Sequence, residues 1–267
     1  MKYLFSTAGR AALTAFVSRE TLFAFDLDGT LAPIVPDPAA IRIQDDVRRS
    51  LIRLDTLAPV AIISGRSRDD ARLHLGFTPR FLVGNHGAEG LPGQEMNHHN
   101  FARLCRGWKE QLTRLMPDMA ARGIVLEDKG ETIALHYRQA PDPERARECI
   151  ETAIARLTPP PRPVAGIFVE NLMPKSAPHK GVALEALIAN LGCQRAIFVG
   201  DDITDEDVFR LNNPTILGIL VGKDKESAAG FYLKGQQETI LLLNEIISRL
   251  NRSYDSQAAE SEPRQPE

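Results

Sequence analysis

Cysteine is scarce in this 267-residue chain: Cys105, Cys149 and Cys193 are odd in number, far apart and without metal-type spacing. That speaks against a cysteine-held metal and predicts reduced, partly buried thiols in a cytoplasmic protein. Charge of one sign is missing too. With 32 Lys and Arg against 35 Asp and Glu, and a formal net charge of -3, no basic excess points to nucleic acid. No apolar run is long enough to cross a membrane, and no internal repeat is present. At the amino end, Lys2 before Tyr3, Leu4 and Phe5 has the beginnings of a signal peptide, but Arg10 interrupts it, and Arg19 and Glu20 stand where a cleavage region would be sought. Leu13, Phe16 and Val17 have helical spacing instead, so residues 1–20 are expected to form a helix packing on the core. The polar, proline-containing stretch 251–267 is expected to be a disordered tail.

What is present is an alternation of short apolar runs and amphipathic stretches. Leu22 to Phe25, VAII (60–63), FLVG (81–84), AIFVG (196–200) and ILGILVG (216–222) read as buried strands. Between them, Asp45 is expected to cap a helix carrying Val47, Leu51, Leu54 and Leu57, and another helix covers 69–75. HKGVALEALIANLG places Leu184, Leu187, Ile188 and Leu191 on one stripe, closed by Gly192. Strand alternating with helix predicts an α/β fold, a doubly wound parallel sheet built from 21–98 and 175–250. Residues 99–174 differ. Phe101, Leu104, Trp108, Leu112 and Leu115 mark the core face of an amphipathic helix; IVLE, the turn DKG and ETIALHYR form a hairpin; Asp142-Pro143-Glu144 opens a second helix. PPPRP (159–163) is a stiff connector before one strand, VAGIFVE. Such an inserted α+β cap suits a lid or specificity domain.

Open α/β sheets bind ligands at the carboxyl ends of their strands, and the polar residues collect there. Asp26 and Asp28 end the first strand, Ser64, Gly65 and Arg66 the second, Asn85 and His86 the third; GDDITDED (200–207) follows a later one, and Lys180 starts a helix. Two neighbouring acids can divide labour, one attacking as the anion while the other donates and then removes a proton. Crowded carboxylates repel, so a divalent cation with hard oxygen ligands is expected, and Mg²⁺ fits best. A hydroxyl, backbone N–H groups near a helix start and a lysine suit a phosphate dianion.

DLDGTL, SGR, Lys180 and GDDITDED together resemble the haloacid-dehalogenase-like phosphohydrolases; GNHGAEG, LEDKGETIALHYR and HKG narrow the resemblance to the trehalose-6-phosphate phosphatase family. The motifs occur in order over nearly the whole chain. The resemblance implies that Asp26 takes the phosphoryl group as an aspartyl phosphate and that Asp28 is the general acid and base. It implies Mg²⁺ held by Asp26, the Asp28 carbonyl and Asp201, with Asp205 direct or one shell out. Ser64, Gly65 and Arg66 would contact phosphate, and Lys180 would balance charge at the nucleophile. In the cap, Glu127, Lys129 and Glu170 match positions that meet the disaccharide hydroxyls, and Asn85 and His86 join them as substrate-binding candidates. The implied reaction is hydrolysis of trehalose 6-phosphate to trehalose and phosphate, the last step of trehalose biosynthesis, alongside a separate synthase.

Plainer readings stand beside these. Glu206 and Asp207 fit as partners of a helix dipole, with Thr204 and Asp207 spaced as a capping box. Lys180 fits an exposed helix start, Arg66 the surface, His86 a packed loop and Asp128-Lys129-Gly130 a solvated turn. His98 and His99 lack further ligands for a metal. Rival functions are a phosphatase for another sugar phosphate, such as sucrose 6-phosphate, and a catalytically silent regulatory module. Retention of both Asp26 and Asp28 argues against the silent module.

Overall fold

The structure, a computed structural model, describes residues 1–261 other than 36, 94, 224 and 225. In chain order it contains β1 (Lys2–Tyr3), α1 (Thr7–Phe16), β2 (Thr21–Phe25), α2 (Asp45–Leu57), β3 (Val60–Ile63), α3 (Arg68–Leu75), β4 (Phe81–Val83) and α4 (Glu95–Leu115). There follow β5 (Val125–Asp128), β6 (Ile133–His136), α5 (Pro143–Ile154), β7 (Arg162–Gly166), β8 (Val169–Met173) and α6 (Lys180–Leu191). The last elements are β9 (Arg195–Gly200), α7 (Glu206–Phe209), β10 (Ile216–Val221), β11 (Phe231–Leu233) and α8 (Thr239–Ser261). Two compact units divide the chain. One comprises Met1–Ile63, Asp69–Leu82 and the chain from Lys180 onward; the other comprises Ser64–Arg68 and Val83–His179.

The first unit is the doubly wound α/β core that the alternation predicts. Its seven strands lie in the order β1-β11-β10-β9-β2-β3-β4, and the pairs β1–β11, β11–β10, β10–β9, β9–β2 and β2–β3 are all parallel. Helices cover both faces of β2, so every residue of TLFAF is buried and the strand shows no polar alternation. Phe23 and Phe25 join Leu51 and Leu54 of α2 and Leu242, Leu243 and Ile246 of α8 in the main core cluster. Each phenylalanine buried this way contributes roughly 1.5–3 kcal/mol.

Two expectations are corrected here. α2 is capped at Gln44, not Asp45; Asp45 and Asp46 occupy its first turn, where negative charge complements the dipole. The tail does not become irregular at 251: α8 continues to Ser261, since 253–261 are polar but contain no Gly or Pro to stop a helix already anchored in the core, and 262–267 lie outside the described residues. The sequence reading also missed β1 and β11, whose two and three residues are too short for periodicity to register.

The second unit holds an antiparallel sheet, β5-β6-β8-β7, covered on one face by α4 and α5. Trp108 and Leu112 of α4, Ile150 of α5, and Ile133, Leu135 and Leu172 of the sheet form its core. The Trp108 indole donates to the Pro159 carbonyl at 2.7 Å, which satisfies its one polar atom. Asp142 caps α5 as expected, accepting the Arg145 N–H at 3.1 Å. VAGIFVE, however, is two strands. The chain turns at Ile167-Phe168, pairing Gly166 with Val169. Phe168 is held at φ 59 with its ring 5.9 Å from Tyr137 and 5.6 Å from the Arg138 guanidinium, and its carbonyl accepts the Tyr137 N–H at 3.0 Å. Those contacts hold a turn that carries no turn-forming sequence of its own.

Candidate active site

In the core the strand order reverses between β2 and β9, the switch point at which open sheets bind ligands. The residue after β2 is Asp26, whose N–H still pairs with the Val199 carbonyl at 2.9 Å. The residue after β9 is Asp201. Gly29 takes φ 81, and a Cβ there would lie 2.3 Å from an Asp201 carboxylate oxygen, so only glycine lets the DGT turn pass this acid. Thr30 Oγ1 donates to Asp201 Oδ1 at 3.3 Å.

Lys180, 2% exposed, joins the acids. Its Nζ donates to Asp26 Oδ1 at 2.8 Å and to Asp205 Oδ1 at 2.7 Å. The exposed-lysine reading is thereby excluded: these contacts offset the cost of a cation at a helix start. Burial opposes its charge, but Asp205 and Asp26 outweigh that and hold the ammonium well above its ordinary pKa. Asp26 is pushed up, first by burial and then by Asp205, Asp201 and Asp28, against the pull of Lys180. Lys180→Met should destabilise the protein by about 3–5 kcal/mol in denaturant unfolding at neutral pH, because two buried carboxylates lose their cation; an unchanged midpoint would refute this.

Carboxylate oxygens of Asp26, Asp201 and Asp205 lie within 4.8 Å of one another, and all three residues are buried. Three anions against one lysine leave an excess of two negative charges, and the donors are all hard oxygens; the set fits a divalent cation of the Mg²⁺ type. Asp205 is the most committed member. Its Oδ1 accepts Lys180, and its Oδ2 accepts the N–H groups of Asp201 at 2.8 Å and Asp202 at 2.9 Å. Asp205 thus organises the turn, and a reciprocal cap lies between Asp202 and Asp205. Glu206 does more than face a dipole: it is buried and accepts the Ala228 N–H at 3.1 Å. Asp28 is half-buried beside this cluster in sequence, in a loop closed by Gly29 N–H to the Ala32 carbonyl at 2.8 Å.

The remaining candidates fall in the second unit. Ser64 is buried, and its Oγ accepts the Arg66 N–H at 3.2 Å, leaving the hydroxyl proton as a donor. Gly65 is required by His86: a Cβ would meet the imidazole at 2.4 Å, which makes His86 a residue packed on the SGR loop. Asn85 is not available to a substrate, contrary to expectation. It is fully buried, and its amide is spent on Glu89, Lys129 and Thr132. Lys129 Nζ donates to the Gly65 carbonyl at 3.3 Å and lies 3.9 Å from Glu127. Glu127 accepts from His136 Nε2 at 2.7 Å, a contact that lowers its pKa, with Lys129 assisting. His98 pairs with Glu131 at 2.5 Å.

Glu170 is the second correction. In the sheet register Leu135 opposes Glu170, whereas Glu127 opposes Ala134, which opposes Asn171. Side chains alternate, so Glu170 shares the helix-covered face with Leu135 and Leu172, while Asn171 shares the other face with Glu127. Burial raises the Glu170 pKa, opposed by Arg147 of α5. Sequence reasoning missed His136 and Asn171. All of Glu170 to Met173 are buried, so β8 carries no alternation that would have revealed its facing.

The family model described as Trehalose-phosphatase matches residues 24–237. The chain belongs to the trehalose-phosphatase family. Among curated relatives, a trehalose-phosphate phosphatase of Mycobacterium ulcerans is 31% identical over 247 residues, covering 88% of this chain and 63% of that protein. An uncharacterized glycosyl hydrolase of Mycobacterium tuberculosis is 32% identical over 246 residues, covering 85% of this chain but 18% of its own length. The chain therefore spans only part of these relatives. Among solved structures, an Aspergillus fumigatus trehalose-6-phosphate phosphatase is 29% identical with a TM-score of 0.60, over 95% of this chain and 100% of that one.

Proposed function

We propose that this chain is a cytoplasmic, Mg²⁺-dependent phosphatase that converts trehalose 6-phosphate to trehalose and phosphate, completing the work of a separate synthase. The buried Asp26–Lys180–Asp205 arrangement carries the reading: a carboxyl group hydrogen-bonded to a buried lysine, with further acids able to take a divalent cation. Asp26 attacks phosphorus; the P–O bond to the sugar breaks, and Asp28 gives its proton to the departing sugar oxygen. Water, deprotonated by Asp28, then attacks the phosphorus of the aspartyl phosphate, releasing phosphate and restoring Asp26. A cation held by Asp26 and Asp201 would supply charge neutralisation and a template for the phosphoryl oxygens. The Ser64 hydroxyl, the Gly65 N–H and Arg66 hold phosphate, and Lys180 keeps the nucleophile's charge in balance. Positioning and neutralisation account for most of what phosphoryl transfer needs.

Phosphate and metal are common to every sugar phosphate, so discrimination falls to the cap face carrying Glu127, His136 and Asn171. Glu127→Ala should lower kcat/KM for trehalose 6-phosphate by roughly 5- to 150-fold, the equivalent of ~1–3 kcal/mol, and leave p-nitrophenyl phosphate within about twofold. Glu170→Gln, on the helix-covered face, should change neither. Equal losses on both substrates for Glu127→Ala would remove it from sugar recognition.

A further inference from the structure

We propose that Asn85 and Glu89 are positioning residues that tie the hairpin turn carrying Lys129 to the Ser64–Arg68 loop, so that the cap hairpin sets the shape of the phosphate-binding loop. The proposal rests on the reading of Ser64–Arg66 as that loop. All the residues concerned belong to the second unit.

Asn85 and His86 sit consecutively in the left-handed region, at φ 50 and 58. Non-glycine residues hold such conformations only where their surroundings over-determine them. Here the surroundings are explicit. The Asn85 N–H donates to the Arg66 carbonyl at 2.7 Å. Its amide nitrogen has two protons, one for Glu89 Oε2 at 3.2 Å and one for the Lys129 carbonyl at 3.3 Å. Its Oδ1 accepts Thr132 Oγ1 at 2.8 Å. Glu89 Oε2 in turn accepts the Arg68 N–H at 2.7 Å. Gly84 leaves room for this: a Cβ there would lie 2.7 Å from both Arg68 N and Glu89 Oε2.

The loop is therefore held at two points from the same turn. Lys129 Nζ holds the Gly65 carbonyl directly, and Thr132 holds Arg68 through Asn85 and Glu89. The Lys129 N–H to Thr132 carbonyl bond, 3.0 Å, closes the turn that supplies both ties. In a buried network a lost partner leaves a polar group unsatisfied, so a break at Thr132 propagates to the loop.

The test measures inhibition by inorganic phosphate, with p-nitrophenyl phosphate as substrate, using the full chain in saturating Mg²⁺. Thr132→Val removes one hydroxyl at constant volume, and Thr132→Ser keeps it. Thr132→Val should weaken phosphate inhibition by about fivefold or more, Glu89→Gln by at least as much, and Thr132→Ser should stay within about twofold of the parent. Ser64→Ala serves as the reference for the loop. If Ser64→Ala weakens inhibition while Thr132→Val and Glu89→Gln, folded by circular dichroism, do not, the coupling is wrong and the loop assignment stands. If Ser64→Ala has no effect, the loop assignment fails and the coupling with it. Should Glu89→Gln not fold, the Thr132 pair decides alone.

Discussion

Asp26→Asn should abolish phosphate release, by on the order of 10⁴-fold or more, in a protein that stays folded. The amide matches the carboxylate in size but cannot attack phosphorus. Stability should not suffer. Burial and the neighbouring acids raise the Asp26 pKa, so in metal-free protein its contribution is favourable below the unfolded pKa and is lost as pH climbs through the raised folded value. Asparagine removes that titration, and Lys180 retains Asp205 at 2.7 Å. The thermal midpoint should be unchanged or a few degrees higher, on a scale of about 2–4 °C per kcal/mol for a chain of this size. Asp28→Asn, which loses the proton donor, should cost roughly 10²–10⁴-fold. Near-normal release by purified Asp26→Asn would rule out attack by this residue.

Metal removal is the second large effect. Three buried carboxylates share one buried lysine, and a substrate phosphate would add further negative charge. EDTA should therefore eliminate turnover, and Mg²⁺ should restore it. Asp201→Ala should raise the Mg²⁺ concentration needed for half-maximal activity sharply or eliminate activity. The fold should survive, since it is Asp205 that accepts the N–H groups of the turn, while Asp201 accepts the Thr30 hydroxyl at 3.3 Å. Asp205→Ala is a different lesion, because it also releases Lys180 and the N–H groups of Asp201 and Asp202; it should lower stability as well as activity. Full turnover in rigorously metal-depleted protein would show that the cluster works without a cation.

The carboxylate cluster was legible in the sequence because it depends on strand ends. An apolar run followed by Asp26, and another followed by Asp201, can be read without coordinates once the sheet is known to be parallel, and the hairpin and two helices of the cap follow from equally local patterns. The facing of β8 was not legible. Glu170 and Asn171 are neighbours, both buried, and only the pairing of Leu135 with Glu170 decides which of them meets the face of Glu127. Asn85 failed for a related reason: its position after a strand resembles that of a ligand-binding residue, and only its contacts with Glu89, Lys129 and Thr132 show that it is spent internally. β1 and β11 were lost to their shortness, and α8 beyond 252 to composition read without regard to the helix preceding it.

The most direct measurement is phosphate release by the purified chain across a panel of sugar phosphates, with Mg²⁺ present and Asp26→Asn as control. The account predicts that trehalose 6-phosphate is turned over with a kcat/KM well above those for sucrose 6-phosphate, glucose 6-phosphate and p-nitrophenyl phosphate, and that the control is silent on all of them. Equal rates across the panel, or preference for another sugar phosphate, would contradict the assignment to trehalose 6-phosphate, and no release from any member would contradict a phosphatase altogether.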